Sequence, residues 1–238
     1  MFVTSPPALR PSLWAPLALT VAGGALATVL GAAPAQAAEA PKRCVVDVAG
    51  PYQKEVERLL RLRVDGHQSS AECAAIQAFQ RREGISPANG YASGATRYMA
   101  VVAQARKKPG VGSRCPVRKR RVACVDLTRQ LMWVQKGRKI TYGVVPIRTG
   151  RPGKETRRGW HQVFRKKKNE ISTLYDNTPM PHSQYFSGGQ ALHGSYSNLF
   201  SGPGSAGCIN LRPKDAARLW RALGVWDYVY VFGRKPLR

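Results

Sequence analysis

Ala191-Leu192-His193-Gly194-Ser195 is followed by a loop rich in Gly, Ser and Pro, and then by Ser205-Ala206-Gly207-Cys208-Ile209-Asn210-Leu211-Arg212. The stretch holds an imidazole, a thiol fifteen residues later, and a run of small residues ending at the thiol. A cysteine nucleophile needs a base to take its proton and amide donors where the attacked carbonyl oxygen becomes negative. His193 reaches Cys208 only if residues 194–207 loop back, which Gly202, Pro203, Gly204 and Gly207 make sterically cheap. Cys208 is therefore the candidate nucleophile and His193 its base. The Gly194 carbonyl is the nearest acceptor to orient the imidazole, and the amides around Ala206, Gly207 and Cys208 are candidate oxyanion donors.

The flanking chain bears on whether that thiol is free. Leu13 to Ala33 is apolar, with Arg10 ahead of it and Ala35-Gln36-Ala37 behind it, the pattern of a secretory signal peptide over residues 1–37. An uncleaved membrane anchor is the alternative, because the run approaches the ~20 residues that span a bilayer. Export makes disulfides the expected state of most cysteines. There are five, so at least one lacks an intrachain partner. Pairing Cys44 with Cys73 and Cys115 with Cys124 leaves Cys208 over. Four cysteines allow three pairings, and a bridge through Cys208 would remove the nucleophile.

Charge is extreme: 38 Lys and Arg against 13 Asp and Glu give a formal +25 over 238 residues. The runs are Arg118-Lys119-Arg120-Arg121, Arg157-Arg158 and Arg165-Lys166-Lys167-Lys168. Without a zinc-finger spacing or an aromatic RNA-binding signature, no specific nucleic-acid partner is expected. For an exported chain the available polyanions are anionic wall polymers, stem-peptide carboxylates and lipid head groups.

Moving outward, residues 38–105 read as a small helical domain. Val56, Leu59 and Leu60 share one helix face, and Ser69 with Glu72 fits a capping box opening a helix that carries Cys73, Ile76 and Phe79 inward. A third helix runs from Gly94 with Met99 and Val102 on its inner face. Residues 106–120 read as a basic linker, and from residue 121 the period changes. Val122–Leu127 and Leu131–Val134 are strands about a turn, followed by Lys139–Ile147, Trp160–Arg165 and the closing Tyr228–Phe232. Pro213–Leu223 is the one helix expected here, with Ala216, Leu219, Trp220 and Leu223 on a face and Gly224 as its C-terminal cap.

Two resemblances add to this reading. Ala75-Ile76-Gln77-Ala78-Phe79-Gln80-Arg81-Arg82-Glu83-Gly84-Ile85, with Gly90-Tyr91 and Gly94-Ala95-Thr96, resembles the core of three-helix peptidoglycan-binding domains. The S-x-G-C-x-N run behind His193-Gly194 resembles the L,D-transpeptidase signature. So do Val125-Asp126-Leu127 with Gln130-Leu131, Thr149-Gly150 with Thr156-Arg157-Arg158-Gly159, and Met180-Pro181 through Gly188-Gly189-Gln190. The resemblance implies a mostly-β catalytic domain over 121–238, a β-sandwich or barrel with one helix after the cysteine loop. It further implies that Cys208 attacks the third stem residue of a tetrapeptide donor, expels D-Ala, and passes the acyl group to an amine of a neighbouring stem. His193 then acts as base and acid, Ser205 and Asn210 hold the motif's structural or substrate-positioning places, and Arg212, Met180 and Tyr185 are candidates for substrate contact.

Two positions depart from the family pattern. Ala206 stands where the second motif histidine is usual, and Arg157 replaces a proline. Neither removes the base. Other chemistries are not supported: Pro203 disrupts a serine nucleophile elbow, and His67, His161, His182 and His193 have no metal-ligand spacing. A monomer with no metal and no cofactor is expected. The competing readings are an L,D-carboxypeptidase that uses water as acceptor, and a catalytically idle wall-binding protein.

Overall fold

The computed structural model describes residues 44–107, 114–173 and 177–236. Residues 1–37, expected to be a signal peptide, and residues 108–113 of the expected linker lie outside the described residues. Among the described residues three helices come first: α1 (Gln53–Leu60), α2 (Ser70–Glu83) and α3 (Gly94–Lys107). Ser69 caps α2 through a complete capping box with Glu72, an interaction worth about 1 kcal/mol. Gly84 ends the helix in the left-handed conformation. Among the described residues no helix is long and apolar enough to cross a membrane.

Nine strands and a fourth helix follow: β1 (Arg121–Asp126), β2 (Leu131–Lys136), β3 (Lys139–Pro146), β4 (Gly159–Gln162), β5 (Arg165–Ser172), β6 (Thr178–Ser187), β7 (Gln190–Gly194), β8 (Ile209–Leu211), α4 (Pro213–Ala222) and β9 (Tyr228–Phe232). They form a five-stranded sheet ordered β3-β2-β1-β9-β4 and a four-stranded sheet ordered β5-β6-β7-β8. Most pairs are antiparallel, whereas β1 with β9 and β7 with β8 run parallel.

Strand alternation explains why β1, β2 and β9 read as nearly continuous apolar runs: both their faces are buried. Ala123, Val125, Met132, Val134, Val229 and Val231 point into the core between the sheets, where they meet Phe186, Leu192, Ile209 and Leu211. Ala216 and Leu219 of α4, with Leu223 beyond it, complete that core. The alternate residues Val122, Cys124, Leu131, Trp133 and Phe232 face the other way and pack with Phe79, Ile85, Met99 and Val102. The helices thus share a core with the back of the five-stranded sheet, and retain only a small cluster of their own around Val56, Ile76 and Ala92. The Cys115–Cys124 disulfide lies in this shared core, and the Cys44–Cys73 disulfide ties the segment before α1 to α2. Cys208 is the free cysteine.

Three local expectations are corrected. Trp160–Arg165 is not one strand. The chain leaves the five-stranded sheet after Gln162 and enters the other at Arg165, while Val163 N–H bonds Asp227 O (3.0 Å) and Phe164 N–H bonds Tyr185 O (2.9 Å). Gly224 does not cap α4, which ends on Leu223 in extended conformation, because the Asp227 carboxylate takes the Gly224 N–H (2.8 Å). Trp220 is only half-buried, and Lys166 Nζ sits 4.2 Å from its ring centre.

Candidate active site

The site lies where parallel strands β7 and β8 meet. Leu192 pairs with Ile209 and His193 with Asn210. Leu192, Ile209 and Leu211 point into the inter-sheet core. Side chains alternate along a strand, so His193 projects from the opposite face. Cys208 lies two residues before Asn210 and packs on that opposite face against Ala191, Met180 and Tyr185. The register thus puts imidazole and thiol on one side of the sheet.

His193 is 6% exposed, and its Nδ1 lies 2.8 Å from the Gly194 carbonyl. A carbonyl only accepts, so Nδ1 carries the proton and Nε2 keeps its lone pair. Burial, with a smaller contribution from the Arg148 charge, pushes the imidazole pKa down against the opposing effect of the Gly194 bond. The imidazole is therefore neutral and oriented. Burial pushes the Cys208 thiol up, partly offset by the Ala191 backbone amide, and Sγ lies 3.8 Å from the Gly189 carbonyl. These shifts describe a neutral thiol and a neutral imidazole rather than a preformed ion pair.

The turn carrying the thiol is built by Ser205. Its Oγ accepts the Gly207 N–H (3.1 Å) and donates to the Cys208 carbonyl (2.6 Å). The hydroxyl of this motif position thus shapes the loop. It also occupies the Gly207 amide, one of the candidate oxyanion donors. Gly207 has φ of +112°, and a Cβ there would fall 2.3 Å from Gln190 Nε2, so both its backbone angle and its neighbour demand glycine.

A second layer holds this turn. Thr156 Oγ1 donates to Gly207 O (2.9 Å) and accepts the Gly150 N–H (3.0 Å). Gln190 accepts the Arg157 N–H and donates to Glu155 O, both at 2.9 Å. Arg148 and Asn210 exchange both backbone bonds, at 3.0 and 2.8 Å, and Ser205 N–H bonds Thr149 O (3.1 Å). Lys235 Nζ ties together the carbonyls of Thr149, Gly150 and Pro203. A cavity of about 460 Å³ adjoins these clamps, bounded by Arg148, Thr149, Thr156, Pro203 and Lys235, but neither Cys208 nor His193 lines it.

Met180 and Tyr185 lie in the apolar cluster against Cys208, and Arg165 stacks 4.2 Å over the Tyr185 ring. Burial raises the Tyr185 pKa, so its hydroxyl stays protonated at neutral pH. Arg212 is not brought to this cluster. Its guanidinium contacts Glu83 O (3.4 Å) and Met99 Sδ (2.9 Å) on the helices and lies over Phe200. Ala206 is half-buried and offers no side-chain polar group. The supporting roles of Thr156 and Gln190 were not read from the sequence. Thr156 is separated from Gly207 by 51 positions, and no local pattern announces such a bond.

Comparison with known proteins places the fold in a family. The family model described as the L,D-transpeptidase catalytic domain matches residues 120–231. An L,D-transpeptidase from Stackebrandtia nassauensis is 37% identical, with a TM-score of 0.64, over 79% of this chain and 94% of that one. That share exceeds what the β domain alone supplies, so the likeness includes helical residues. Enzymes from Xylanimonas cellulosilytica (22% identity, TM-score 0.46, covering 81% of this chain and 97% of that one) and Mycobacterium smegmatis (21%, 0.43, 48% and 59%) also match. No protein of curated function matches the sequence. With the helical region packed on a two-sheet domain of this architecture, the chain belongs to the L,D-transpeptidase family, whose substrates are peptidoglycan stem peptides.

Proposed function

We propose that this protein is an exported cysteine acyltransferase that forms 3→3 peptidoglycan cross-links, with Cys208 as nucleophile and His193 as base. The observation that carries the reading is the 2.8 Å contact between His193 Nδ1 and Gly194 O, on the strand beside an unpaired cysteine. It fixes the tautomer that leaves Nε2 able to accept a proton.

As the Cys208 sulfur bonds to the carbonyl carbon of the donor's third residue, its proton passes to His193 Nε2. The carbonyl π pair moves onto oxygen, and the Cys208 amide is the donor left to stabilise it while Gly207 N–H stays on Ser205. Collapse breaks the C–N bond to D-Ala, whose nitrogen leaves with the proton from His193. The thioester is then attacked by the side-chain amine of an acceptor stem. That amine's proton goes to His193 and on to the departing Cys208 sulfur, which restores the starting site. Thiol and imidazole start neutral, so proton transfer accompanies attack, and general-base help of this kind typically contributes ~10²–10⁴-fold.

Met180 and Tyr185 supply an apolar wall for the donor, and Arg165 is the cation we assign to a donor carboxylate in place of Arg212. Residues 1–37 serve as the export signal and the helical region holds the wall polymer, consistent with two disulfides and a +25 charge. The test is incubation of the full chain with a tetrapeptide donor and an amine-bearing acceptor. Cross-linked dimer and free D-Ala, both abolished by Cys208→Ala, are expected. Release of D-Ala without dimer would mean that water is the acceptor, and no turnover at all would point to an idle binding protein.

A further inference from the structure

We propose that the helical region binds a calcium ion between Glu57, Asp65 and Glu72. The chain has only 13 acidic residues against 38 basic ones, so three carboxylates gathered at one place are not explained by abundance. Each offers an oxygen, and the three oxygens lie within 4.8 Å of one another. Two ligands of a shared Ca²⁺, each ~2.3–2.6 Å from the metal, are separated by at most about 5 Å. One centre therefore suits all three.

The second observation is Glu57 itself. It is 0% exposed, one oxygen takes the Gly66 N–H at 3.0 Å, and Oε1 is buried without a hydrogen-bond partner. Among the described residues no ion pair reaches Glu57 or Glu72, and a buried carboxylate without a counter-charge is costly. Asp65 pairs with Arg63 at 3.1 Å, but that arginine side chain is 84% exposed and its pairing is weak. Glu72 Oε2 is held by the Ser69 N–H and O–H, which aims the carboxylate from the first turn of α2. In the same segment Gln68, 3% exposed, also has a buried Oε1 without a partner.

Ligand chemistry selects the metal. An all-oxygen, carboxylate-rich set suits a hard cation, whereas zinc favours nitrogen and sulfur. Mg²⁺ holds its ligands at ~2.0–2.1 Å in near-ideal octahedral geometry, a tighter and more regular set than Ca²⁺ demands of carboxylates that come from separate elements. A bound Ca²⁺ would tie α1, the Asp65–Gln68 loop and the start of α2 together beside the Cys44–Cys73 bridge.

The test is calcium titration of the EDTA-treated full chain by calorimetry, with thermal unfolding read alongside. One Ca²⁺ per chain is expected, with a dissociation constant in the ~10⁻⁴–10⁻³ M range of extracellular modules, and a Tm that rises with calcium. Asp65→Asn, at a partly exposed position, should keep the calcium-free Tm and bind at least about tenfold more weakly, since it removes one of three charged ligands. Glu57→Gln should abolish the calcium response while leaving the calcium-free protein at least as stable. Absence of binding at millimolar calcium, undiminished binding by Asp65→Asn, or an equal Tm rise with magnesium would overturn the proposal.

Discussion

Thr156 Oγ1 donates to the Gly207 carbonyl at 2.9 Å, joining the segment after β3 to the residue just before the thiol. The same hydroxyl accepts the Gly150 N–H, so one side chain satisfies a buried acceptor and a buried donor. Thr156→Val keeps the shape and removes both bonds. It should cost about 1–3 kcal/mol in denaturant unfolding, because buried polar groups lose their partners. The acylation rate should fall further than Thr156→Ser makes it fall. Equal rates in the two variants would show that the hydroxyl does not position the turn.

The neutral pair predicts a pH profile. His193 must be unprotonated to accept a proton, and burial holds its pKa below the ordinary ~6.5. Activity should therefore be complete at pH 7 and fall only as the pH drops through that depressed value. His193→Ala should erase this acid limb and slow acylation by ~10²–10⁴-fold. The thiol is pushed up, so alkylation of Cys208 by iodoacetamide in His193→Ala should climb only above the usual ~8.5. A thiol titrating below pH 7 in the unmodified protein would mean a preformed thiolate–imidazolium pair.

Gly207→Ala meets two penalties at once. Its φ of +112° disfavours any side chain, and the added carbon would press on Gln190 Nε2, which Glu155 O already holds. Strain of this kind costs about 1–3 kcal/mol. Urea unfolding should show that loss together with loss of acylation. Removing the clash with Gln190→Ala should restore only part of the stability, because the backbone penalty persists.

We assign Arg212 to the helices, through its contacts to Glu83 and Met99, rather than to the substrate. Arg212→Ala should lower Tm through lost contacts to Glu83 and Met99 and leave the donor KM unchanged. Arg165→Ala, beside Tyr185, should raise the donor KM with little change in Tm. The reverse pattern in steady-state kinetics would return the carboxylate role to Arg212.

How far the sequence reached follows from physical pattern. The helices α1 to α4 were legible because apolar positions recur at helical spacing beside a capping box, a first-turn proline and a terminal glycine. Strands β1, β2, β3 and β9 were legible as dense β-branched and aromatic runs. Strand β5, Arg165 to Ser172, is mostly charged and solvent-facing, so it looked like a basic run. Strand β6 contains Pro179 and Pro181 and a left-handed His182, and β8 is three residues long. Neither presents a period to read. His193 and Cys208 stood out by motif. Their supports did not, because Thr156 and Gln190 meet Gly207 only after the sheet has brought distant segments together. The shared helix–sheet core was equally hidden, since Phe79 and Met99 would look the same buried in a separate bundle.

In the proposed reaction Cys208 carries the acyl group, and His193, oriented by Gly194, takes its proton. Intact-mass analysis of the full chain after brief exposure to a tetrapeptide donor or a carbapenem tests it most directly. A single covalent adduct is expected, mapped by peptide digestion to Cys208, absent from Cys208→Ala and slow to form in His193→Ala. An unmodified mass with a freely titratable Cys208 thiol, or an adduct that persists in Cys208→Ala, would contradict it.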